Sequence, residues 1–197
     1  MNTIDKNIQI LSNLQIELSF QDLEKQIKTA GRSPGIFQAA QTTLEKIQGH
    51  WNPRILFQWF DFEIDPETGF GRIIQAPGEP IHLDLGHSIK FLEPACFVMV
   101  SAYTIGQTLD AESAGASSKG DLLEAYMMDL IGLTVLEKTA DLVKKNAEDQ
   151  ARQLGWGVSP FLSPGSVHGW KLEEQAKLCS LLPLGQINVN ITKDAVL

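Results

Sequence analysis

The side chains that could do chemistry are few and scattered. The histidines are His50, His82, His87 and His168. His82 and Asp84 stand two apart in the alternating run Ile81 to Leu85, so a strand would turn both to one face, with His87 close behind. A metal would need such groups gathered at bonding distance. The solvated face of an edge strand produces the same pattern, and that is the expectation here. A Ser–His–Asp triad is set by geometry rather than spacing, and no GxSxG elbow supports one. No GxGxxG, GxxxxGK[ST] or HExxH occurs either. Gly69-Phe70-Gly71 follows a turn and reads as a hairpin rather than a phosphate cradle.

Cys96 and Cys179 lie in apolar surroundings and are expected to be buried free thiols, because unpaired cysteine behaves as a small hydrophobe. A formal charge of −8 with scattered cations argues against nucleic acid and anionic membrane as partners. The first residues lack a basic region followed by an apolar run, so no signal peptide is expected. The longest apolar run, 95–100, is too short to span a bilayer. With 43% hydrophobic and 20% charged residues, the 197-residue chain has the makeup of one globular domain, 1–197, expected in the cytoplasm.

The elements follow from periodicity. Residues 8–18 mix Ile and Leu with Asn and Gln and lean to strand. Residues 19–30 read as a helix capped by Ser19 and closed by Gly31. Ser33-Pro34-Gly35 is a turn, and Phe37, Ala40, Leu44 and Ile47 are spaced for one helical face. Strands are expected over 55–64, 71–75 and 81–85 as an antiparallel meander around the turn Asp65–Gly69. Residues 95–105 form an apolar run suited to a strand covered on both faces. Residues 110–120, rich in Ala, Ser and Gly, read as a loop. The longest helix opens at Asp121 and runs to about Gln153. Leu122, Leu123, Tyr126, Leu130, Leu133, Leu136, Leu142 and Val143 supply much of its apolar face, and 144–150 its solvated end. Gly132 in its middle suggests close packing against a sheet, and Gly155-Trp156-Gly157 ends it. Residues 158–165 are extended, 172–182 a short helix, and 187–192 alternates as a strand with one wet face.

The C-terminal half carries a resemblance. It lies in Val100–Leu109 with its Thr104-Ile105-Gly106 turn, and in Asp129…Gly132…Glu137 on the long helix. Ser163-Pro164-Gly165 follows, then Trp170 to Gln175, 178–182 and 187–192. In this order and spacing these segments resemble the activation (reactivation) domain of cobalamin-dependent methionine synthase, most clearly over 95–197. The resemblance implies an α+β fold: a bent antiparallel sheet with a long central helix and flanking helices. It further implies binding of S-adenosylmethionine beside a cobalamin module, where the methyl donor rescues oxidised cobalt by reductive methylation. Cobalamin would be met only through a partner, a corrinoid-binding protein or methyltransferase.

Carried over by position, Glu137 matches a helix glutamate near the ligand, and Ser163, Pro164, Gly165 and Ser166 match the ligand loop. The resemblance leads us to expect the long helix and this loop along one groove. The family's loop arginine, which would pair a ligand carboxylate as a fork, falls at Phe161, and its tyrosine at Ser166. Thr192-Lys193-Asp194 stands where Thr-Glu-Ser is common. The chain is expected to be a stand-alone member, unable to make methionine by itself because it has no cobalt-ligating Asp-x-His-x-x-Gly. A module with this fold that docks on a corrinoid protein without the small ligand is the alternative, and an unrelated small-molecule enzyme on the same scaffold is a third reading.

Overall fold

The aromatic and β-branched run beginning at Arg54 forms the strand on which the sheet is built. The computed structural model describes residues 3–30, 34–75, 77–166 and 169–192, with the side chains of 25 and 28–30 left aside. Among the described residues the sheet has five strands: β1 (Gln9–Leu11), β2 (Arg54–Ile64), β3 (Gly71–Ile74), β4 (Ile81–Leu83) and β5 (Phe97–Thr104). β2 pairs with β1, β3 and β5, and β3 carries β4 at its other edge. The β2–β3 hairpin is antiparallel, with Phe62 opposite Ile73, and β3–β4 is antiparallel, with Arg72 opposite His82. Asp65 closes the hairpin by accepting the Glu67 and Thr68 amides at 2.8 and 3.1 Å. Those donors hold its carboxyl below the usual aspartate range, the Thr68 amide most of all.

The helices are α1 (Phe20–Ala30), α2 (Pro34–Ile47), α3 (Thr108–Ser118), α4 (Leu122–Gln153) and α5 (Gln175–Ser180), the last preceded by a 3-10 turn at Leu172–Glu174. α1 starts in a capping box: the Ser19 amide and hydroxyl both donate to Asp22, at 2.7 and 2.8 Å. α4 ends in a Schellman arrangement, in which Trp156 N–H reaches the Ala151 carbonyl and Gly155 N–H that of Arg152.

Two compact units partition the chain. A sheet unit gathers Met1–Ile10, Leu56–Ala102 and Val143–Leu197, and a helical unit gathers Leu11–Ile55 and Tyr103–Leu142. Each has its own core. In the sheet unit Leu56, Phe60, Phe62, Ile73, Leu83, Leu85 and Val100 pack with Trp170, Leu181, Leu182 and Ile187. In the helical unit Leu23 and Ile27 of α1 pack with Leu44 and Ile47 of α2 and with Met127, Met128, Ile131 and Val135 of α4. β2, β5 and α4 have residues in both units.

The mixed fold, the meander and the long helix agree with the sequence, and several expectations are corrected. Residues 108–118 are helix rather than loop, because alanine is the best helix former and Leu109, Ser113 and Ala116 give this small-residue helix a buried face. Residues 187–192 form no strand: a 3-10 turn at Leu184–Ile187 precedes Asn188, whose φ of +59° is left-handed and breaks the alternation. The lean to strand over 8–18 holds for Gln9–Leu11 alone. β5 is only half covered, with Val100 and Ala102 as its buried residues.

The buried stripe of α4 is not the leucine one: Leu122, Leu123, Tyr126 and Leu133 are exposed, whereas Ala125, Met127, Met128, Ile131 and Val135 are buried. Leu130 and Leu142 do pack on the helical core, and Val143 is fully buried. Gly132 is not forced by crowding, since a Cβ there would meet Ile105 and Leu109 side chains at ordinary contact distance, 3.6 and 3.8 Å. Cys96 is exposed and Cys179 half-buried, and both are free thiols. Burial pushes the Cys179 thiol up. Gly31 and Ser33 lie outside the described residues.

Candidate functional site

Ser163-Pro164-Gly165-Ser166 is a tight turn built by residue type. Proline presets the second position, glycine supplies φ +78° at the third, and the Ser166 amide donates to the Ser163 carbonyl at 3.1 Å, the pattern of a type II turn. The Ser166 hydroxyl locks it. It donates to the Ser163 carbonyl at 2.7 Å, accepts the Ser163 hydroxyl at 2.8 Å and receives the Ser163 amide at 3.3 Å. The Gly165 amide donates to the Trp170 carbonyl at 2.9 Å.

Every amide this turn owns is therefore committed, since Pro164 has none. Among the described residues nothing donates to the Pro164 and Gly165 carbonyls. The turn offers acceptors and hydroxyls, which suit a ligand's amine or hydroxyl rather than its carboxylate.

The turn belongs to the sheet unit, whose neighbouring contacts anchor it. Trp170 is buried in the sheet core, and its indole N–H has no partner among the described residues. Gly86 lies so close to Gly169 that a Cβ on it would come within 2.5 Å of the Gly169 backbone. Only glycine permits that approach. Lys177 ties α5 to β4, donating to the His82 carbonyl at 2.9 Å and pairing with Glu174 at 2.9 Å. Glu174 in turn accepts the Asp84 amide at 3.3 Å. Phe161, at the position where the resemblance expects arginine, is exposed.

Glu137 belongs to the helical unit, on the exposed side of α4. It accepts from Gln26 of α1 at 2.9 Å, a partner 111 residues away that no local pattern announced. Nearby in sequence, Lys138 pairs with Asp22 at 2.8 Å. That hydrogen bond, followed by the Ser19 amide, holds the Asp22 carboxyl below its ordinary value. The structure thus brings Ser163, Pro164, Gly165 and Ser166 together in one turn, and places Glu137 in the other unit.

His82 is exposed on β4, an edge strand, as expected. Asp84 accepts the Gly86 amide at 3.2 Å. Among the described residues no group of three or more His, Cys, Asp or Glu is gathered as a metal would require. No helix among them is long and apolar enough to cross a membrane.

Comparison with solved structures defines the fold: it is that of a reactivation domain. The crystal structure of the MetH reactivation domain bound to AdoHcy matches 95% of this chain and 73% of its own, with a TM-score of 0.63 and 16% identical residues. The chain has the fold of that domain, as the sequence resemblance anticipated. No family model matches the sequence, and no curated protein does.

Proposed function

We propose that this protein is an activation-domain-like module that binds S-adenosylmethionine, or its demethylated product, and supports reactivation of a corrinoid methyltransferase in the cytoplasm. The observation that carries the reading is the fold shared with a reactivation domain that binds AdoHcy, along nearly the whole chain. The Ser163–Ser166 turn adds to it, because a rigid, acceptor-rich surface suits the ammonium and ribose hydroxyls of such a ligand. Glu137, in the helical unit, has a carboxylate already oriented by Gln26 and is proposed separately as an acceptor for an amine or hydroxyl. The ligand would supply an electrophilic methyl group, and cobalamin would come only with the partner.

The residues present fit one end of the ligand better than the other. The turn has no uncommitted amide for a carboxylate, and Phe161 offers no cation. That observation favours a second reading, in which the module docks on a corrinoid protein and leaves the small ligand aside. Calorimetric titration with S-adenosylmethionine and with S-adenosylhomocysteine separates the two. The first reading expects saturable heat, weakened about tenfold in Ser166→Ala, where the turn loses its lock, and in Glu137→Ala. Absence of heat at millimolar ligand would overturn it.

A further inference from the structure

The outer face of the N-terminal half of α4 carries a pattern that neither core uses. Leu122, Tyr126 and Leu133 lie four and seven residues apart and so share one face of the helix. They are 65%, 44% and 52% exposed. Asp129 and Glu137 occupy the same stripe, four residues to either side of Leu133, and both are exposed. Neither carboxylate pairs with a cation among the described residues. Neutral donors hold them instead: the Ser113 hydroxyl on Asp129 at 2.7 Å and the Gln26 amide on Glu137 at 2.9 Å. By contrast, Asp22 is paired with Lys138 and Glu124 with Lys46. The stripe therefore presents two fixed negative charges, without a cationic partner among the described residues, beside three large apolar side chains.

We propose that this stripe is a docking surface for a basic amphipathic helix of a partner protein. Such a helix would lay its apolar residues along Leu122, Tyr126 and Leu133, and set Lys or Arg against Asp129 and Glu137. The charge selects this occupant. A second copy of the chain would bring like carboxylates face to face, and an anionic bilayer would be repelled. Hydrogen bonds from neutral groups fix the carboxylates without cancelling them, so a cationic partner meets acceptors already in place. The proposal stands whether or not a small ligand binds. It shares Glu137 with the ligand reading, so its test relies on Asp129 and Leu133, which lie outside that reading.

The probes are two labelled synthetic helices of roughly 18 residues with the same leucine pattern, one with lysine and one with glutamate at the flanking positions. Fluorescence anisotropy with the full chain is expected to show binding of the leucine–lysine helix and none of the leucine–glutamate helix. Asp129→Lys should weaken the lysine helix at least about fivefold, and Leu133→Ser comparably. Asp129→Lys should also begin to bind the glutamate helix, a gain that misfolding would not give. Equal binding of both helices overturns the proposal, as does lysine-helix binding that neither substitution moves. A dimer in sedimentation velocity that Leu133→Ser dissolves would also overturn it, by assigning the face to a second copy. If Asp129→Lys does not fold, as judged by circular dichroism, Leu133→Ser decides: unchanged binding overturns the proposal, and at least about fivefold loss sustains it.

Discussion

The two units are packed to different tolerances, and their glycines measure the difference. In the sheet unit a Cβ on Gly71 would fall 2.8 Å from Leu85 and Phe62, and one on Gly86 would strike the Gly169 backbone. In the helical unit a Cβ on Gly132 would find ordinary contacts. The sheet unit is filled down to its backbone at Gly71 and Gly86, while the helical core includes the adaptable side chains of Met127 and Met128. The crowded unit is the one that holds the Ser163–Ser166 turn. The closest backbone approaches thus lie in the unit that holds this turn, and the helical unit carries the exposed apolar stripe of α4.

Core truncation tests this contrast most severely. Phe62→Ala in the sheet unit should cost about 3–5 kcal/mol and Ile131→Ala in the helical unit about 2–5 kcal/mol. Because β2, β5 and α4 have residues in both units, each substitution should move both units together in urea. Trp51 reports on the helical unit and Trp59, Trp156 and Trp170 on the sheet unit, so fluorescence of single-tryptophan variants checks it. Separate transitions would show two independent folding units.

Smaller effects sharpen the comparison. Gly86→Ala should destabilise by about 2–4 kcal/mol, combining overpacking with a left-handed φ of +51°. Gly132→Ala should do the reverse and raise stability by about 0.5–1 kcal/mol, since it improves helix propensity without a clash. Thermal melts of the two variants should therefore shift in opposite directions. The smallest effect concerns acid. The Asp22 carboxyl titrates below its ordinary 3.8 in the folded chain. Its contribution is therefore present above pH 3.8 and is lost as pH falls through the lower folded value. The pair is partly solvated, so the loss should stay below about 1 kcal/mol. Urea midpoints at pH 7 and pH 3 should differ less in Lys138→Met than in the wild type.

Much of the fold was legible because strong periodicity and turn chemistry coincide. The hairpin around Asp65–Gly69, the capping box at Ser19 and the near-full extent of α4 all have local causes. What failed has physical reasons too. α3 is written in Ala, Ser and Gly, so its helical signal is its propensity and one buried face, with little contrast between sides. α4 leaves Leu122, Leu123 and Leu133 exposed because its core stripe is made of Ala, Met, Ile and Val, which a count of leucines overlooks. The alternation at 187–192 is real in the letters, yet Asn188 takes a left-handed turn that no period-two rule registers.

At the candidate site, Ser-Pro-Gly announced the turn. The accounting that uses up its amides became visible only in three dimensions, because it runs through the Ser166 hydroxyl and the Trp170 carbonyl. Glu137 was legible as a residue, but its hydrogen-bond donor was not.

The short connection from α3 to α4 bears on the order of events as the chain folds. Three residues join the helices, and the Ser113 hydroxyl reaches the Ala125 carbonyl and Asp129 across them. Such a hairpin closes over a short stretch of chain, on the fast timescale of local helical contacts. The sheet unit must collect three segments from the start, middle and end of the sequence, which costs far more loop closure. The helical hairpin is therefore expected to be the earliest structured piece, with its amides protected first in pulsed hydrogen exchange, and the turn at Ser163–Ser166 among the last to settle.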